Sequence, residues 1–330
     1  VFDGEGRTVG EGNHPAFARG ELLLTPASSQ LLASNPFGYL VAWRLEDSRA
    51  DWFCEASGGQ GFRRDIIARD GDAILLAGHL ERLDPHGAHS HDGDSHGGDS
   101  HVPRDTRLEV IDLGSPIEMK KIYVVSRQTK ALVQLEIERA PVAASRTALV
   151  VGSKGRLVFH DPSSLAVRAE LELEDPELVP LAFSLDEADR VYLVARADAA
   201  DDPHARPSLQ LLTPGGERAY FFELDDLVVA PPVVGFDHRA HVVSDGQIVA
   251  YEPWGDLAWK VPLVPAGMTA LPGATLLVGA GDAVIAIDGQ GERVTLASFD
   301  GEKVAAAPIV TPAGDVLVAT RSALYALGPA

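Results

Sequence analysis

The chain has 330 residues, 45% of them hydrophobic, with 48 acidic against 28 basic side chains and a formal net charge of −20. That apolar fraction excludes a disordered chain and provides for a large core, while the lack of clustered Lys and Arg argues against a nucleic-acid or anionic-membrane partner. No apolar run approaches the ~18 residues of a membrane helix, and a single cysteine, Cys54, permits neither an intramolecular disulfide nor a thiolate metal cluster.

The chain begins at Val1, a start compatible with a mature protein whose secretory signal has been removed. From there, short apolar runs punctuated by Gly, Pro, Asp and Ser recur roughly every 40 residues, and no segment sustains a helical apolar period over three turns. In chain order the clearest runs are LLASNPFGYLVAWRLED (31 to 47), LVVGSKGRLVFHD (149 to 161), HVVSDGQIVAYEP (241 to 253), LLVGAGDAVIAID (276 to 288) and VLVATRSALYALG (316 to 328). Each reads as a strand, a tight polar turn and a second strand, the signature of a β-hairpin.

A further short strand precedes several of these hairpins, as in VPLAFSL (179 to 185), APPVVGF (230 to 236) and AAPIVTP (306 to 312); another follows, as in SRADWFCEA and GDLAWKVPL. The repeating unit is therefore four antiparallel strands, called here A to D. Such a unit buries both faces only by stacking on its neighbours, which predicts an all-β propeller forming one domain over 1 to 330. Blades fall at about 17–56, 63–126, 131–175, 177–226, 228–263, 266–300 and 303–330. The segment KIYVVSRQTKALVQLEI (121 to 137) also reads as a hairpin, which would raise seven blades to eight.

The last blade ends on a third strand, while VFDGEGRTV at the N-terminus matches AIDGQGERV (286 to 294), where strand C of another blade turns into strand D. This predicts that the N-terminal strand supplies the missing outer strand and closes the ring, removing an exposed edge.

The Ala-Pro before strand A, the Gly in the B–C turn, the Ala-aromatic or Ala-Ile-Asp ending of strand C and the Trp in strand D resemble the PQQ-like repeat propellers, including BamB-type outer-membrane assembly lipoproteins. The resemblance is good over 228 to 330, fair over 17 to 56 and weak between. It implies that Trp52 and Trp259 pack between blades. The same family contains quinoprotein dehydrogenases, but those are generally longer and commonly carry adjacent cysteines beside the quinone, so the resemblance favours its non-enzymatic branch.

One segment has a different chemistry. DPHGAHSHDGDSHGGDSH (84 to 101) interleaves His86, His89, His91, His96 and His101 with Asp84, Asp92, Asp94 and Asp99, inside an insertion of about 84 to 105 between AILLAGHLERL and TRLEVIDL, strands B and C of blade 2. Imidazole and carboxylate suit zinc or copper, and a Gly- and Ser-rich backbone can wrap a cation; the alternative is a solvated insertion with no chosen ligand. A second long B–C loop, RADAADDPHARP (196 to 207), carries Asp201, Asp202 and His204, so both loops are expected on one binding face, with His79 and His204 as further candidate ligands.

Hydrolytic motifs are missing in their working context. There is no GxSxG elbow, since the one matching string, GDSHG (93 to 97), falls within the His- and Gly-rich insertion and not between a strand and a helix, and there is no HExxH and no Gly-rich loop opening a helix. Cys54, within DWFCEA, reads as an inert buried thiol. The sequence thus predicts a non-enzymatic scaffold binding protein partners in the periplasm or outside the cell, attached to a membrane, if at all, through a partner or a removed lipid-anchored N-terminus. Divalent-metal capture is a secondary role, a metallochaperone the alternative, and a funnel enzyme the third reading.

Overall fold

The structure is a computed structural model. It describes residues before 140 essentially as strands alone, and 140–328 with their side chains, apart from 146, 198–205, 225–229, 312–313 and 321–322. The described residues form 29 β-strands arranged in seven separate sheets, and no α-helix occurs among them.

Blade 1 holds β1 (Leu22–Thr25), β2 (Gln30–Ser34), β3 (Tyr39–Arg44) and β4 (Ala50–Glu55); blade 2 opens with β5 (Phe62–Asp70), β6 (Ala73–Leu80) and β7 (Asp105–Asp112). The chain then makes a small hairpin, β8 (Glu118–Lys121) and β9 (Val124–Ser126), before β10 (Gln128–Glu138) completes blade 2. Blade 3 is β11 (Val142–Ala144), β12 (Leu149–Ser153), β13 (Arg156–His160) and β14 (Val167–Glu172); blade 4 is β15 (Leu178–Leu185), β16 (Val191–Ala197), β17 (Ser208–Leu212) and β18 (Arg218–Glu223). Blade 5 is β19 (Val233–Val234), β20 (Ala240–Ser244), β21 (Gln247–Tyr251) and β22 (Leu257–Pro262); blade 6 is β23 (Gly267–Leu271), β24 (Thr275–Ala280), β25 (Ala283–Ile287) and β26 (Arg293–Ser298). Blade 7 shows β27 (Ile309–Val310), β28 (Val316–Ala319) and β29 (Leu324–Leu327).

All five hairpins read from the sequence are B–C pairs in matching register, such as Leu149↔His160 and Ala240↔Tyr251. The blade boundaries near residue 130 need correction. Residues 121 to 137 do not make an eighth blade: β9 runs parallel to β4, with Phe53↔Val124 and Cys54↔Val125, and so extends blade 1 to six strands, whereas β10 is the outer strand of blade 2. The polar break at Arg127–Gln128 separates two sheets, although in sequence it looks like a turn within one. Bulges between Thr129 and Ala131 and between Leu135 and Glu138 let the 11-residue β10 follow the 8-residue β7. The proposed closing strand, residues 1 to 9, lies outside the described residues.

Strand burial follows from ring position. The middle strands are enclosed, as in β17 where every residue is buried, while the fourth strands β14 and β26 are mostly exposed. The first strands of blades 1 to 6 lie side by side in succession and therefore form the inner wall. Apolar side chains meet in the seams between blades. Val150 and Leu157 of blade 3 pack with Phe183 and Leu193 of blade 4, Tyr220 of blade 4 with Val242 and Val249 of blade 5, and Trp259 of blade 5 with Leu276 and Val278 of blade 6. Each blade face thus becomes core only through its neighbour.

Antiparallel order puts all A–B and C–D turns on one face of the disc, and all B–C turns and D–A linkers on the other. That division locates every candidate site.

Candidate interaction surface

On the A–B/C–D face, polar side chains tie consecutive turns together. In blade 4, Asp186 closes its own turn: Oδ1 accepts from the backbone N–H of Ala188 (2.9 Å) and Arg190 (3.0 Å), and Oδ2 accepts from Arg190 Nε at 2.6 Å. Burial works against the Arg190 charge, but the Asp186 hydrogen bond and the nearby negative groups outweigh it and raise the pKa. Arg190 Nη2 then donates to Nδ1 of His238 in the A–B turn of blade 5 at 2.9 Å, which requires a lone pair on that nitrogen. Below these turns, burial pushes the Tyr192 hydroxyl up to about 12, and it sits 3.4 Å from the His238 carbonyl.

The same linkage repeats on both sides. Ser145 Oγ and Thr147 Oγ1 of blade 3 donate to the two Asp189 oxygens of blade 4 at 2.5 and 2.6 Å. In blade 5, Arg239 forks onto Glu252 (2.7 and 3.0 Å), which raises the Arg239 pKa, and its Nη1 donates to the Gly289 carbonyl of blade 6 at 2.8 Å. Bidentate arginine geometry of this kind fixes orientation as well as distance. At the inner wall, Ser184 Oγ donates to the Pro232 carbonyl, and the equivalent Thr269 Oγ1 donates to the Pro308 carbonyl at 2.5 Å, so each hydroxyl holds the next blade.

Blade 5 interrupts this polar face. Phe236 in its A–B turn is 61% exposed and Trp254 in its C–D turn 68% exposed, with Leu257 beside it 52% exposed. The Arg239–Glu252 pair joins the two turns from within, since Arg239 follows Phe236 by three residues and Glu252 precedes Trp254 by two. Backbone bonds close the turn, Glu252 N–H to Asp256 O and Gly255 N–H to Glu252 O, both 2.8 Å. The Trp254 indole N–H donates to Asp256 Oδ2 at 2.9 Å, which directs one edge of the ring and leaves its face to solvent. Large aromatic rings held outward on short, hydrogen-bonded turns give contact area at low entropy cost, as interaction surfaces do. The sequence signal was present, an aromatic flanked by turn residues in EPWGD and GFDH, but it was absorbed into the repeat pattern.

Trp259 lies only five residues further on and has the opposite role. It is 8% exposed, packs in the seam between blades 5 and 6, lies 5.5 Å from the His241 ring, and is faced by Gly291 of blade 6, where a Cβ would lie 3.2 Å from the indole. The positive φ of Gly291 (86°) reinforces the requirement for glycine there. Trp52 occupies the same register, paired with Ala42 as Trp259 is with Ala250.

The predicted metal ligands are placed as follows. His79 sits near the end of β6, paired with Thr106 of β7. His86, His89, His91, His96, His101, Asp92, Asp94 and Asp99 lie outside the described residues, as do Asp201, Asp202 and His204. In sequence the two segments connect second to third strands, β6 to β7 and β16 to β17. Among the described residues no group of three or more His, Cys, Asp or Glu side chains is arranged to hold a metal ion. Two buried histidines instead serve the backbone: His160 Nδ1 lies 2.9 Å from the Leu165 carbonyl, and His241 Nδ1 lies 3.1 Å from the Val233 carbonyl, with burial depressing the His241 pKa.

No family model matches the chain, and no curated protein matches it. Among solved structures the chain is similar to BamB from Moraxella catarrhalis, with a TM-score of 0.57 and 14% identity over 97% of this chain and 85% of that one. The fold is a β-propeller. At that identity the likeness carries the architecture and not the activity.

Proposed function

We propose that this protein is a non-enzymatic interaction scaffold acting in the periplasm or outside the cell, and that the A–B/C–D face around blade 5 takes a protein partner. The observation that carries the reading is the exposed pair Phe236 and Trp254 on turns locked by Arg239 and Glu252. The PQQ-like repeat pattern and the structural likeness to BamB support the scaffold role and the compartment. The non-enzymatic reading rests on a sequence with one cysteine, no HExxH, and a single GxSxG string that lies in the low-complexity insertion and not at a strand-to-helix elbow. We treat residues 1 to 330 as one domain with an insertion at 84 to 105.

The test is affinity capture from a periplasmic extract with the intact protein and with Phe236→Ala and Trp254→Ala. A discrete partner retained by the intact protein and lost from both variants, whose circular dichroism is unchanged, supports the reading. Identical capture by all three excludes this face.

Metal capture by the His-rich insertion is a second proposal, favoured by the pairing of His79 with Thr106, which brings side by side the two strands that flank the insertion and carries one of the candidate ligands there. Calorimetric titration of the metal-stripped protein with zinc and with copper, with and without residues 86 to 101, tests it. A site of defined stoichiometry that vanishes with the segment supports metal handling; weak binding at many sites reduces the segment to a solvated insertion.

A further inference from the structure

The charge around Phe236 and Trp254 narrows the chemistry of the partner. Four arginines on or beside this face are already committed within the protein: Arg168 to Asp161, Arg190 to Asp186, Arg218 to Glu174 and Arg239 to Glu252. Their charges are therefore spent on holding turns and strands. Among the described residues, the exposed carboxylates of Glu187 and Glu217 in blade 4, Asp256 in blade 5 and Asp288 and Glu292 in blade 6, all on turns of this face, form no ion pair with another described side chain, and they outnumber the exposed cations Lys260 on β22 and Arg293 at the start of β26. The aromatic pair thus stands in a field of negative sign, on a chain whose overall charge is −20.

We infer that the Phe236–Trp254 surface receives cationic side chains, arginine or lysine, from an extended segment of a protein partner. This deepens the scaffold reading and rests on it. A guanidinium laid on the exposed indole face gains from the ring quadrupole, and the nearby carboxylates attract the same charge. Asp256 does both jobs, since its Oδ2 holds the Trp254 edge at 2.9 Å while its charge lies next to the ring. An acidic or purely apolar segment would meet the same rings but would be repelled by, or indifferent to, the carboxylates.

The experiment is a fluorescence titration of the full chain with the peptide Ac-RGRGRG-NH2 and, separately, with Ac-EGEGEG-NH2. The expected result is a saturable change in tryptophan emission with the arginine peptide alone. It should weaken by about tenfold as salt rises from on the order of 50 to 300 mM, because exposed charges are screened over that range. Trp254→Ala should remove most of the signal. Phe236→Ala, which keeps the reporter, should weaken the apparent affinity several-fold. Equal responses to both peptides, or an arginine response unchanged in both variants, overturns the inference. That failure is separable from failure of the scaffold reading: a partner captured through this face despite indifference to the arginine peptide leaves the scaffold and removes only its cationic preference.

Discussion

Blades 5 and 2 are built on the same four-strand plan and spend their extra residues differently. In blade 5 the connections are minimal: Ser244 and Gln247 pair directly across the B–C turn, and the A–B and C–D turns each close by two backbone bonds. Individuality is confined to which side chains those turns display. Blade 2 keeps an equally regular ladder between β6 and β7, yet separates those two strands in sequence by residues 81–104 and sends β8–β9 to the edge of blade 1. The contrast teaches that stacking fixes the strands while the connections remain free to acquire function. If so, damage to a seam should be costly and damage to a displayed turn should not.

The sharpest break of that comparison is Trp259→Ala. Removing a nearly buried indole from the seam between blades 5 and 6 should cost about 3–5 kcal/mol, read as a lower denaturant midpoint with little change in slope. A loss below about 1 kcal/mol would mean that the seam is not where the stability resides. Next comes Gly267→Ala at the inner wall, where a Cβ would lie 2.3 Å from the backbone nitrogen and 2.6 Å from the Cα of Ala307 in the following blade. Backbone cannot step aside as a side chain can, so a loss of about 1–3 kcal/mol is expected.

His241 gives a smaller, pH-dependent effect. Burial lowers its folded-state pKa below the usual 6.5, so the native state resists a proton that the unfolded chain accepts. Its contribution to stability is complete above about pH 6.5 and declines as pH falls from there toward the depressed value. Thermal melts of the intact protein and His241→Gln at pH 7.5 and 5.5 should show the variant losing less on acidification. Equal losses would show that the buried imidazole does not govern that window.

The seams were more legible in the sequence than the surface. Alternation in LVVGSKGRLVFHD and HVVSDGQIVAYEP fixes both hairpins because a one-residue slip would turn buried positions such as Leu157 or Ile248 to the wrong face. The same logic failed at KIYVVSRQTKALVQLEI. Local alternation there correctly marks strands but cannot say which sheet they join, and β9 pairs with a strand just over seventy positions earlier. The interblade ties, Asp189 to Ser145 and Arg190 to His238, were unreadable for a related reason: they link turns of different blades, and each residue alone looks like ordinary turn chemistry. Trp259 could be assigned to packing because the resemblance places a Trp in strand D, whereas Trp254, in the turn before that strand, had no place in the repeat and its exposure was not legible.

That last pair supplies the mildest and most discriminating prediction. Trp254→Ala deletes as many atoms as Trp259→Ala, five residues away, yet should change stability by no more than about 0.5 kcal/mol, because a ring 68% exposed forfeits little buried area. The indole hydrogen bond to Asp256 is lost, but both groups are exposed and water replaces it. Parallel denaturant melts of the two variants check the point. A clear loss for Trp254→Ala would show that its ring supports the C–D turn, and the display function would then have to rest on Phe236 alone. Unchanged stability together with lost partner capture would separate the two roles of one residue type within a single blade: one tryptophan holds neighbouring blades together, and the other faces whatever binds them.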